Sequence, residues 1–134
     1  MRRMWFVVVA AIPCFGCVDH GLTASSAVLT SGASLAAGKR TEVSHFGRDD
    51  FVFQLVDVTW PDVSDYGGIH EVVWNWYKGG KLASTSHDDH MRFASSPFTL
   101  RTSRAAATLG TGQFSVETLV DGNVMARNRF DIAS

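Results

Sequence analysis

From Phe51 to Ile132 the large apolar side chains fall at every second position in short runs, and each run stops at Gly, Asp, Asn or Pro. A period of two puts alternate side chains on opposite faces of an extended chain, so each run buries one face and wets the other. Within His70 to Lys78, Val72, Trp74 and Trp76 share a face, opposed by Glu71, Val73, Asn75 and Tyr77. Phe51 to Trp60 is a second run, and Met91 to Ala94 a weak one. Phe98, Leu100 and Thr102 alternate against Thr99, Arg101 and Ser103. Phe114, Val116, Thr118 and Val120 form a further inward set, and Val124, Ala126, Phe130 and Ile132 oppose Met125, Arg127, Arg129 and Asp131. Gly79-Gly80 and Asp121-Gly122 supply the positive φ angles of tight hairpins. Arg104 to Leu109 is the one helical stretch, too short to stand alone. The cadence predicts an all-β fold, an antiparallel sandwich of about seven strands over residues 42–134.

A hydrophobic fraction of 46% with 19% charged residues suits a chain of 134 residues that folds as one domain. Twelve Lys and Arg against thirteen Asp and Glu leave a net charge of −1, so no global field draws the chain to nucleic acid, and no nucleic-acid partner is expected. No stretch reaches the roughly 20 apolar residues that cross a bilayer as a helix.

The N-terminus reads as an address. Arg2 and Arg3 precede the apolar run Trp5 to Ile12, and Cys14-Phe15-Gly16-Cys17 follows before the first acid, Asp19. That order is basic, apolar, then small-residue exit, the layout of an export signal over residues 1–16. Cys14-Phe15-Gly16-Cys17 resembles the lipobox of bacterial lipoproteins. The resemblance implies that Cys17 is acylated and becomes the new N-terminus, with the membrane as partner through its acyl chains. Cys14 and Phe15 depart from that pattern, and signal cleavage after Ala27, giving a soluble periplasmic protein, is the alternative. Val18 is not the Asp that retains enteric lipoproteins in the inner membrane, which favours the outer membrane. Residues 17–41, rich in Ser, Ala, Thr and Gly, read as the acylated end and a flexible linker, with Ala27 to Leu29 a candidate edge strand.

Trp74-Asn75-Trp76-Tyr77-Lys78-Gly79-Gly80-Lys81 resembles the corner of immunoglobulin-like domains where a buried Trp precedes a glycine turn. Leu109-Gly110-Thr111-Gly112-Gln113-Phe114-Ser115-Val116 resembles the entry to a later strand of those domains, with Phe114 in place of the corner Tyr and Val116 in place of a disulfide Cys. Together these imply a disulfide-free immunoglobulin-like sandwich, as in small bacterial envelope lipoproteins, a family likeness that carries no activity with it.

Three sets of residues are candidates for a site. Trp60, Asp62, Asp65 and Tyr66 interleave aromatic and acidic groups where a sandwich loop is expected, and loops are where recognition sits; Trp60 equally suits a strand end that closes the core. Arg101, Arg127 and Arg129 form a possible basic stripe for a lipid phosphate or a carboxylate-bearing partner. His87, Asp89 and His90 are potential metal ligands beside Asp88, in what reads as a polar turn; on an extended chain His87 and His90 point oppositely, so one ion reaches both only across a tight bend. His45 and His70 join such a site only through tertiary proximity. No nucleophile elbow, zinc-helix or phosphate-loop motif occurs, so the chain reads as non-enzymatic, without a cofactor, binding an envelope protein partner. A periplasmic metal-binding protein is the alternative, and a small hydrolase a more remote one.

Overall fold

The computed structural model describes residues 21–61 and 67–134. The leader, Cys14 and Cys17 lie outside the described residues, as do Asp62, Asp65 and Tyr66. The elements are β1 (Thr23–Ser31), α1 (Gly32–Ala36), β2 (His45–Phe46), β3 (Phe51–Thr59), β4 (Ile69–Lys78), β5 (Lys81–Arg92), β6 (Phe98–Ala105), α2 (Ala106–Leu109), β7 (Gly112–Val120) and β8 (Asn123–Ile132).

Two sheets form, one of three strands in the order β1-β3-β6 and one of five in the order β2-β8-β7-β4-β5. Every pairing is antiparallel except the short β2–β8 contact, where His45 faces Asp131 and Phe46 faces Ile132. This is the expected immunoglobulin-like sandwich, an all-β fold with two minor helical turns. The hairpins sit where the glycines require: Gly79 and Gly80 have φ of 56° and 85°, and Asp121 and Gly122 have 52° and 84°.

The inward faces are those the alternation selects, except at the start of β8, where the bulge after Thr118 sets Val124 opposite Leu119 and Met125, not Val124, packs on the core. One apolar cluster gathers Leu29, Phe46, Val52, Trp76, Phe114, Val116, Phe130 and Ile132, and a second gathers Val56, Val58, Trp60, Val72, Trp74, Phe93, Leu100 and Val120. A polar group lies buried in the same interior. Gln54, fully buried, accepts from the Thr118 hydroxyl at 2.6 Å and donates to Asn128 Oδ1 at 2.8 Å and to the Val116 carbonyl at 3.3 Å. These bonds offset the cost of sinking an amide between two sheets, and they tie β3 to β7 and β8.

Two expectations fail. The linker over residues 17–41 is not a leash from Thr23 onward, because β1 pairs with β3 from Thr23 opposite Thr59 to Ser31 opposite Val52. An edge strand needs few large side chains: Leu29 is buried, Ala27 packs on the core, and Ser26 on the outer side donates to Asp57 at 2.9 Å. The return segment is fastened too, through Thr30 Oγ1 to the Thr41 carbonyl at 2.7 Å and Val43 N to the Leu29 carbonyl at 2.9 Å. The sandwich therefore begins by Thr23, not at residue 42. Likewise, His87 to His90 form no turn but run within the twelve-residue β5. Its polar residues are tolerated because no strand of the other sheet covers them.

Candidate interaction surfaces

Trp60 is a core residue. It is 5% exposed, stacks on Phe93 with ring centroids 6.2 Å apart, and abuts Gly67 so closely that a Cβ there would stand 3.0 Å from the indole. It closes the sandwich at a strand end, where Pro61 follows, and presents no binding surface of its own.

The three arginines do not form a stripe. Arg101 lies on the outer face of the three-stranded sheet, its guanidinium 4.9 Å from the Phe53 ring centroid. Arg127 and Arg129 alternate with the inward Ala126 and Phe130 of β8, on the outer face of the five-stranded sheet. Arg101, Arg127 and Arg129 all point away from the core, and their two strands belong to different sheets, so these charges emerge on opposite sides of the molecule. Sequence alternation gives the facing of each strand but not the sheet to which it belongs.

The histidine and acid cluster is open and strand-like. His87 Nδ1 meets Asp89 Oδ1 at 3.0 Å with both side chains more than half exposed, and Asp88 Oδ1 accepts from the His90 backbone N–H at 3.0 Å. Between Asp88 and Met91 the register slips against β4, so Asp89 and His90 bulge from the edge opposite Glu71. Among the described residues no three His, Cys, Asp or Glu side chains converge on a metal position. His45 is bound to Asp131 at 2.9 Å, and His70, although opposite Met91 in the register and so next to His90 along the strand, has its ring held by Asp121 and the Gly67 carbonyl.

Sequence reasoning passed over three groups that organise the surface. Glu117, on the outer side of β7, is 4% exposed and accepts from Tyr77 Oη at 2.8 Å, Asn75 Nδ2 at 3.2 Å and Arg127 Nε at 3.1 Å. Burial pushes its carboxyl up, but the bonds from Arg127, Tyr77 and Asn75 outweigh that and hold it below the ordinary carboxylate value. The Tyr77 hydroxyl is correspondingly raised, chiefly by its bond to Glu117. A count from the Asp121-Gly122 turn pairs Glu117 with Ala126; the bulge after Thr118 brings Arg127 opposite instead.

Asp57 is the second such group. Arg40 reaches it from the return segment at 2.7 Å and Thr99 donates at 2.6 Å. With the Arg40 bond the largest cause, its carboxyl is lowered to about 2. The third is His70, whose Nδ1 meets Asp121 Oδ2 at 2.6 Å while Nε2 meets the Gly67 carbonyl. Its ring centroid lies 4.5 Å from that of Phe93, so it staples the β7–β8 turn to the segment leading into β4.

What remains open is one side of the sandwich. Gln54 ties β3 to β7 and β8, Asn128 reaches β1, and Arg104 of β6 lies over Trp76 of β4 at 5.3 Å, so the three strands of the small sheet face β8, β7 and β4. Among the described residues no strand of the small sheet lies opposite β5, and none of the residues of β5 is buried. Arg104 spans the gap at one end, donating through Nε to Ser84 Oγ at 3.2 Å and through Nη1 to the Ser103 carbonyl at 2.8 Å.

No protein-family model matches the chain, and no curated protein matches its sequence. Solved structures do resemble it in shape. An immunoglobulin-like protein from Pseudomonas aeruginosa superposes with a TM-score of 0.58 at 6% identity, over 84% of this chain and 96% of that one. The alkylpurine DNA glycosylase of Pseudomonas fluorescens gives 0.55 at 9% identity over 87% of this chain, which spans only 32% of the glycosylase. A domain from Pyrococcus furiosus, at 0.45, is too distant to build on. At such identities the likeness establishes the immunoglobulin-like fold alone.

Proposed function

We propose that this chain is a non-enzymatic interaction module, displayed in a bacterial envelope from a lipid on Cys17. The immunoglobulin-like fold is compatible with that role, and the observation that carries it is the unequal size of the two sheets. Five strands stand over three, which leaves the overhanging β5 and the neighbouring edge of β6 without a covering strand among the described residues. The buried polar groups described above are tied into pairs and staples that hold the framework, so their chemistry is structural.

The start of β1 at Thr23 shortens the tether. Thr23 is six positions after Cys17, and a fully extended chain of six steps reaches about 20 Å. In this reading the domain sits close to the bilayer, with its Gly21–Pro61 end toward the lipid: the Gly21 Cβ position is 3.1 Å from the Pro61 ring. Two or three acyl chains make such attachment effectively permanent, and the absence of Asp at position 18 favours the outer membrane. Growth with labelled palmitate tests the anchor. Label is expected on the native protein and on Cys14→Ser but not on Cys17→Ser; an unlabelled native protein overturns the lipid reading and leaves a soluble periplasmic module.

A further inference from the structure

We infer that the free edge of β6, beneath the overhang of β5, accepts an extended segment of a partner protein as an added strand, with an acidic side chain set against Arg101. The inference rests on the interaction-module reading and names its surface.

The backbone register identifies the free groups. Ala106 N donates to the Asp50 carbonyl at 2.9 Å, continuing the pairing in which Phe51 faces Ala105. Antiparallel partners alternate between bonded and non-bonded pairs. Phe98, Leu100, Thr102 and Arg104 therefore direct their backbone groups at β3, while Thr99, Arg101 and Ser103 direct theirs outward. The Ser103 carbonyl is taken by Arg104. Among the described residues Thr99 and Arg101 have no strand partner for their outward backbone groups, on a strand whose pairing with β3 has no register slip.

The roof is defined in the same way. Asp121 N donates to the Glu71 carbonyl and Gly79 N to the Gln113 carbonyl, so the odd positions of β4 bond β7 and the even ones bond β5. Ser84, Ser86 and Asp88 are opposite the buried Trp76, Trp74 and Val72, which puts their side chains on the inner face of the large sheet, over space that no strand of the small sheet fills. The indole N–H groups of Trp74 and Trp76, on the strand beside this roof, are buried without an acceptor. An inward side chain that carries an oxygen as well as a methyl, such as threonine, suits such surroundings.

Charge decides the occupant. Arg101 rests on the Phe53 ring with no carboxylate bonded to it among the described residues, whereas Asp57 on the same face is satisfied by Arg40, Ser26 and Thr99. A strand laid along β6 places its residue opposite Arg101 on that face, where an acidic group forms a cross-strand pair. A second copy of this chain is the wrong occupant, because self-pairing through β6 sets Arg101 and Arg104 of both copies along one short ribbon. The outer edge of β5 is a poorer template, interrupted by its bulge and lined by His87 and Asp89.

The test uses the full chain in detergent and the synthetic peptide acetyl-Val-Ser-Thr-Asp-Val-Ser-Thr-amide, with hydrogen exchange read residue by residue. Saturating peptide is expected to slow exchange at the Thr99 and Arg101 amides by about tenfold or more. The same peptide with lysine for aspartate is expected to bind more weakly, and Arg101→Glu to reverse that preference. Thr99→Pro removes an outward N–H at a position where an edge strand tolerates proline, so it is expected to weaken binding without a large fall in melting temperature. No protection at Thr99 and Arg101, protection that ignores the peptide's charge, or chains that pair with each other through β6 overturns the proposal. A palmitate label that survives any of these results leaves the envelope reading standing.

Discussion

Arg127 and Glu117 face each other on β8 and β7 with the Arg127 Nε 3.1 Å from a Glu117 carboxylate oxygen, although the carboxylate is 4% exposed on a sheet face that looks outward. Its burial comes from its neighbours: Tyr77, Asn75 and the arginine cover it. Removing the arginine strands a desolvated charge, so Arg127→Ala is expected to lower stability by about 1–3 kcal/mol. Tyr77→Phe should cost less, and the double variant less than the two added together, because both bonds serve one acceptor. Chemical denaturation of the four proteins checks this, and full additivity would refute the shared network.

Acid should act through Asp57. Its carboxyl is held at about 2, below the ordinary value of 3.8, with the Arg40 bond as the main cause. A carboxylate lowered by folding stabilises fully above its unfolded value and loses that contribution as pH falls through its folded value. Native protein should therefore lose melting temperature between pH 4 and about 2 more steeply than Asp57→Asn, and the two curves should run closer to parallel above pH 5. Equal slopes in acid would show that the Arg40 clasp does not hold in solution.

Strand β1 can be weighed against the leash expected from its composition. Leu29 is 2% exposed within one core cluster, so Leu29→Ala is expected to cost about 2–4 kcal/mol. A flexible linker would register no change.

Two substitutions probe the ends of the core. Trp76 is fully buried, and Trp76→Ala should cost about 3–5 kcal/mol. At the opposite end, Gly67→Ala would force a methyl to within 3.0 Å of the Trp60 indole and is expected to cost about 1–3 kcal/mol. Urea unfolding measures both, and a neutral Gly67→Ala would mean that Trp60 is not seated as described.

The strands from Phe51 onward were legible because each carries large apolar groups at alternate positions, and their hairpins because Gly79, Gly80 and Gly122 mark them. β1 showed only in part, as the candidate edge strand Ala27 to Leu29, because an edge strand half covered by its own return segment buries chiefly Leu29 and Ala27, too little for its full length to stand out among Ser, Thr and Ala. The polar half of β5 was hidden by the opposite logic, since an overhanging strand has no facing sheet to demand apolar residues, and His87-Asp88-Asp89-His90 then reads as a turn. Of the candidate sites, the facing of Arg101, Arg127 and Arg129 was readable from alternation, but which sheet each strand joins depends on long-range pairing. The Glu117 and Asp57 clusters depend on cross-strand register, which one bulge shifts beyond what counting recovers.

The interaction-module reading meets its most direct measurement in living cells, with a photo-crosslinking side chain at position 99 on the β6 edge and, separately, at position 129 on the opposite sheet. A discrete adduct that excess unlabelled native protein competes away is expected from position 99, and none from position 129. No adduct from position 99, or equal and non-competable adducts from both, would contradict the interaction-module reading.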